Sequence, residues 1–123
     1  MEAFARRFFG AVEAGDTETV ASLYHDDVKI WHNYDDVEQS KAENLATLGS
    51  IQDRYDAFGY AQARHTDLEG GFLRQHTIEV SRGGSHAAVP AILRVYVRGE
   101  RISRIEEYFD RRSIDALFAT ETA

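Results

Sequence analysis

Residues 87–110 read AAVPAILRVYVRGERISRIEEYFD, and this stretch decides the fold. Ala91, Leu93, Val95 and Val97 alternate with Ile92, Arg94, Tyr96 and Arg98. After Gly99-Glu100, Ile105, Glu107 and Phe109 alternate with Glu106, Tyr108 and Asp110. A period of two with one apolar side marks a strand that buries one face. Two such runs joined by a two-residue glycine turn form an antiparallel hairpin. Toward the N-terminus, residues 72–81 and 58–68 repeat the pattern, set off by Gly83-Gly84 and Glu69-Gly70-Gly71. The spans 58–68, 72–81, 87–98 and 101–110 therefore predict a four-stranded meander.

Upstream of Phe58 the period changes. Phe4, Phe8, Ala11 and Val12 recur at three- and four-residue spacing, which predicts a helix over 2–14 that Gly15 stops. Asp16 caps a second short helix, with Val20, Leu23 and Tyr24 on its buried side and Asp26-Asp27 breaking it. Val28 to Asn33 reads as a short strand, with Val28, Ile30 and His32 on one face and Lys29, Trp31 and Asn33 on the other. A polar loop, Tyr34 to Ser40, leads to a third helix over 41–56 that carries Leu45, Leu48, Ile51 and Tyr55. Residues 111–118 are expected to form a last helical turn, and Thr120 to Ala123 to fray.

Three helices, one short strand and a meander give an α+β domain, with a curved antiparallel sheet and helices that close it into a cone around an internal pocket. At 123 residues, 43% hydrophobic and 28% charged, the chain fits one globular domain over 1–123. No linker or repeat divides it. A formal net charge of −7 argues against nucleic acid and anionic membrane as partners. No apolar run approaches 18 residues, the N-terminus lacks a signal-peptide core, and the chain has no cysteine, so a cytoplasmic location is expected.

Three polar residues fall on faces that the alternation marks as buried. His32 ends an apolar strand, and imidazole takes and returns a proton near neutral pH. Glu107 lies between Ile105 and Phe109, where a carboxylate is costly unless paired or used. A one-residue shift of register would turn Glu106 and Tyr108 inward instead. His76 shares its face with Ile78 and Val80. Phe8, Tyr24, Ile30, Tyr55, Ile78, Leu93, Ile105 and Phe109 are the expected pocket wall. His25, His65 and His86 lie near acidic or glycine-rich turns and are expected to be solvated. Two histidines and a carboxylate also make a metal triad, but on three separate strands their spacing is nonspecific; no metal and no cofactor is expected.

The run Phe8-Phe9-Gly10-Ala11-Val12-Glu13-Ala14-Gly15-Asp16, followed by Leu23-Tyr24-His25-Asp26-Asp27-Val28, resembles the opening of the SnoaL-like branch of the nuclear transport factor 2-like superfamily. The ending Gly99 to Asp110 resembles its final strand, and Ile30-Trp31-His32-Asn33 and Arg74-Gln75-His76-Thr77 resemble segments of its bacterial members. The likeness covers about residues 3–118 and implies the cone fold. It does not choose among isomerases, epoxide hydrolases, cyclases, dehydratases and binding modules. On the ketosteroid-isomerase pattern His32 falls at the proton-shuttling aspartate, while Phe8 and Leu93 fall at the two oxyanion donors, so a standard steroid isomerase is not expected. On the epoxide-hydrolase pattern His32 falls at a water-positioning asparagine and Glu107 at an acidic position. Gln75 and Thr77 fall at that family's arginine and aspartate. That comparison would point Gln75 inward; the local alternation favours His76, with Gln75 as the alternative.

The resemblance also implies a homodimer through the outer sheet face, striped here by Arg94, Tyr96, Arg98 and Tyr108. The expected function is cofactor-free isomerase, dehydratase or cyclase chemistry on a small apolar carbonyl or hydroxy compound. His32 would carry the proton, and His76 or Glu107 would orient it or serve as second carrier. The alternative is a binding module of the same fold without chemistry.

Overall fold

The alternation that marks the meander reappears as four long antiparallel strands in a computed structural model that describes residues 1–119. They are β3 (Ala57–Leu68), β4 (Gly71–Arg82), β5 (Ser85–Arg98) and β6 (Arg101–Phe109). Both two-residue turns use paired positive φ angles, 58° and 82° at Gly83-Gly84 and 58° and 67° at Gly99-Glu100, which match the twist of the strands they join. Gly71 is needed for a different reason: a Cβ there would lie 2.0 Å from the Val95 carbonyl oxygen, so β4 and β5 meet at a distance that no side chain permits.

The helical segments also follow the sequence. They are α1 (Glu2–Ala14), α2 (Thr17–Leu23), the pair α3 (Lys41–Gly49) and α4 (Ile51–Arg54), and the C-terminal α5 (Arg112–Ala119). Gly15 ends α1 in the left-handed region, Asp16 caps α2 through the Thr19 amide, and Ser40 and Glu43 form a reciprocal capping box on α3. The single helix expected over 41–56 is broken at Ser50, whose hydroxyl donates to the Thr47 carbonyl and accepts from Arg54 Nε. That local bonding competes with helix continuation, and Tyr55 is extended.

The short strand is longer than expected. β1 runs Tyr24–His32, so Tyr24 belongs to a strand and Asp26-Asp27 do not end a helix. The aspartates are exposed where the ladder to β6 is irregular, and they face Lys41 and Arg98. Within the loop expected over 34–40, β2 (Val37–Gln39) pairs antiparallel with β1. The sheet order is β2-β1-β6-β5-β4-β3 among the described residues. The β1–β6 pair is parallel, so the sheet is mixed where only antiparallel pairing was expected. The fraying expected of Thr120 to Ala123 lies outside the described residues.

The concave face is apolar. Val28, Ile30, Phe72, Ile78, Val80, Val89, Leu93, Val95 and Ile105 meet Phe8, Phe9, Val12, Val20 and Leu23 from α1 and α2, all buried. No helix among the described residues is long and apolar enough to cross a membrane.

Candidate active site

The packing stops short of filling the cone. A cavity of about 290 Å³ lies between α3, α4, α5 and the sheet, and a narrower one of about 70 Å³ continues beneath α1. His32, Thr47, Leu48, Tyr60 and Glu107 line both. Every expected wall residue is present: Phe8, Tyr24, Ile30, Leu93 and Ile105 line the narrow part, and Tyr55, Ile78 and Phe109 the wide part.

At the junction stand His32 and Glu107. The parallel ladder pairs them directly, so their side chains rise from one face of adjacent strands. His32 Nε2 lies 3.1 Å from Glu107 Oε1. Asn33 pins this end of the ladder: its N–H donates to the Glu107 carbonyl at 3.1 Å, and its side-chain oxygen accepts from the Phe109 amide at 3.0 Å. A carboxylate only accepts, so in the neutral imidazole the proton sits on Nε2 and the lone pair on Nδ1. Nδ1 has no hydrogen-bond partner among the described residues. Glu107 thus faces inward and Glu106 outward, where Glu106 meets Arg104 and Tyr96.

Tyr24 and Tyr60 add phenols to the lining near this pair. Tyr24 donates to Asn44 Oδ1 at 2.7 Å, Asn44 donates to Gln39 at 2.9 Å, and Gln39 donates to the Thr47 hydroxyl at 3.1 Å. Tyr60 has no partner for its hydroxyl among the described residues. Burial and the nearby Glu107 charge push both phenols above their ordinary range, so both stay neutral donors.

His76 is on the inner face, as the alternation predicts, with Gln75 and Thr77 less buried. It is only 4% exposed, yet it does not join the cavity. Tyr60 stacks on its ring at 4.2 Å, Phe9 meets it edge-on, and Arg74 Nε donates to its Nδ1 at 2.6 Å. Burial first, then the Arg74 charge and His65, lowers its pKa to about 3. His76 was expected to orient His32 or to serve as second proton carrier; the structure sets its ring against Tyr60, outside the lining that His32 and Glu107 share. The expectation for His65 is corrected. Its side chain is 2% exposed, bridging Glu2 and Arg74, whereas His86 is exposed as expected.

Sequence reasoning missed Tyr60, Asn44, Arg54 and Arg111, all of which line the cavity system. Among the described residues no three His, Asp or Glu side chains are grouped to hold a metal ion.

No family model matches the sequence, and no curated protein matches it. The comparison of structures is decisive. The chain is similar to a candidate SnoaL-like polyketide cyclase from Shewanella denitrificans, at 11% identity over 97% of this chain and 96% of that one, with a TM-score of 0.80. This is the nuclear transport factor 2-like fold. A protein of ketosteroid isomerase-like fold from Catenulispora acidiphila, solved with trimethylamine, matches at 12% identity over 93% and 90% of the two chains, with a TM-score of 0.81. TerC, co-crystallised with polyporic acid, matches at 17% identity over 95% and 96%, with a TM-score of 0.79. Such identities establish the nuclear transport factor 2-like architecture; the chemistry of this chain rests on its own side chains.

Proposed function

We propose that the protein catalyses cofactor-free proton transfer on a small, largely apolar carbonyl or hydroxy compound, as an isomerase, dehydratase or cyclase. The observation that carries this reading is the His32–Glu107 pair, which leaves Nδ1 of a cavity-lining imidazole without a hydrogen-bond partner among the described residues. Nδ1 takes a proton from the carbon beside the carbonyl, and the C–H electron pair moves into an enolate whose negative charge settles on the carbonyl oxygen. Tyr60 donates a hydrogen bond to that oxygen, in the role that Phe8 and Leu93 cannot fill. Glu107 stabilises the imidazolium and fixes its tautomer. The imidazolium then returns its proton to another carbon (isomerisation) or to a departing hydroxide, which leaves as water (dehydration). In a cyclisation the enolate carbon attacks a second carbonyl, and the proton goes to the alkoxide formed.

Structures of the same fold hold small organic molecules, trimethylamine and polyporic acid, which supports a small-molecule cavity here. The test is hydrogen exchange at the carbon beside the carbonyl of α-tetralone in heavy water, followed by proton NMR. The wild-type protein is expected to exchange it about 100- to 10,000-fold faster than His32→Ala. Tetralone binding without exchange would instead establish the binding-module alternative.

A further inference from the structure

The wide cavity holds a charge that the proton-transfer reading does not use. Arg54, the last residue of α4, lines it together with Ile51, Tyr55, Phe58 and Phe109. Its guanidinium is half-buried, and its contacts are all with neutral groups. Nε donates to the Ser50 hydroxyl at 2.9 Å, Nη1 reaches the Tyr55 hydroxyl at 3.4 Å, and Nη2 reaches the Thr47 carbonyl at 3.5 Å. Among the described residues no carboxylate pairs with it. Guanidinium cannot shed its proton at any physiological pH, so a cation set among apolar walls without a counter-ion is unfavourable unless something supplies the negative charge.

Among the described residues no lining acid supplies it: Glu107, the carboxylate that lines the cavity, is engaged with His32. Arg111 lines the same cavity, but its charge is already paired. Its Nε is bonded to Asp115 at 3.1 Å and its guanidinium lies 4.5 Å from the Tyr34 ring centroid. Of the two arginines that line this cavity, Arg54 is thus the one without a carboxylate partner among the described residues. The backbone that carries Arg54 is itself held, since Arg82 Nη1 donates to its carbonyl at 2.5 Å. The long contacts of Nη1 and Nη2 leave the paired edge of the guanidinium to a better acceptor, and two oxygens sharing one negative charge fit that edge.

We infer that Arg54 makes the wide cavity a binding site for an anionic oxygen group, so that the substrate is a small acid rather than a neutral ketone or alcohol. This rests on the proposed function only in taking the cavity as the substrate site. The anion would lie against α4 while the reacting carbon faces His32, which gives the substrate one orientation. Burial by the substrate would strengthen the pairing that surface arginines lack.

The experiment is calorimetric titration with β-naphthoate and its neutral isostere β-naphthamide, at low salt, on wild type, Arg54→Gln and Arg54→Lys. The wild-type protein is expected to bind the acid at least about tenfold tighter than the amide. Arg54→Gln is expected to abolish that preference and leave amide affinity unchanged; Arg54→Lys is expected to keep part of it. Circular dichroism melts establish that the variants fold. Equal affinities in wild type, a preference that survives Arg54→Gln, or binding of neither probe would overturn the inference. None of these readouts needs turnover. An acid preference that depends on Arg54 would leave the anion site standing whether or not tetralone exchanges its proton, and lost preference beside intact exchange would remove the anion site alone, so the two readings fail separately.

Discussion

Replacing Glu107 by glutamine keeps the shape of the side chain and removes its charge. At the observed 3.1 Å, full charges on His32 and Glu107 attract by about 5 kcal/mol at an effective dielectric constant near 20. Both side chains retain some solvent contact, 11% and 16% exposed, and the glutamine oxygen still accepts from Nε2, so only part of that attraction is lost. A hydrogen bond to a charged group, worth about 1.5–3 kcal/mol, is the appropriate scale. The imidazolium exists only after proton abstraction, so the loss falls on the transition state and not on substrate binding. Tetralone exchange by Glu107→Gln should therefore fall about 10- to 150-fold, with the tetralone dissociation constant within about twofold of wild type. Proton NMR in heavy water gives the rate, and a titration gives the affinity. Exchange at the wild-type rate in Glu107→Gln, beside complete loss in His32→Ala, would refute the idea that the carboxylate works through the imidazole.

Tyr60→Phe removes the hydroxyl and keeps the ring that covers His76, so exchange is expected to drop about 100-fold or more, with an unchanged melting curve. Stability should fall with acid because of His76. Its folded pKa of about 3 lies below the ordinary 6.5, so the unfolded chain takes up the extra proton as pH drops through that window. The contribution is complete above pH 6.5 and is lost toward pH 3; urea titrations should give about 2 kcal/mol less from this group at pH 5 than at pH 7, and His76→Gln should flatten that limb. The outer sheet face carries Trp31 edge-on to Tyr108 and a shallow groove over Gln75, Pro90 and Ile92. Light scattering is expected to give twice the chain mass, and Ile92→Asp to give the monomer.

The fold was legible where burial enforces a period. β5 and β6 bury one face each, so a register slip would expose the whole apolar set, and their alternation survives in the sequence. The same alternation pointed His32 and Glu107 inward. Their meeting was not legible, because it depends on a parallel ladder between strands more than seventy residues apart. Tyr60 was hidden by the irregularity beside it: Gln62 has a φ of 56°, the ladder to β4 shifts between Ala61 and Arg64, and the period of two is lost. Arg54 carries no signal in the sequence that sets it apart from other helix arginines; it lines the cavity beyond a helix break at Ser50 that was not expected. His76 and His65 had the right burial signal or the wrong one, but neither role can be read without Arg74. That arginine lies on the inner face, 3% exposed and 3.9 Å from the Phe9 ring centroid, and both imidazoles accept or share its hydrogen bonds.

The most direct test of His32 as the proton carrier is the stereochemistry of exchange. A single base fixed on one side of a chiral cavity reaches only one of the two protons on the carbon beside the tetralone carbonyl. Deuterated tetralone isolated early from heavy water with wild-type protein should carry one deuterium of one handedness, and His32→Ala should give only the slow, racemic background. Racemic label at the wild-type rate, or equal labelling by His32→Ala, would contradict the account.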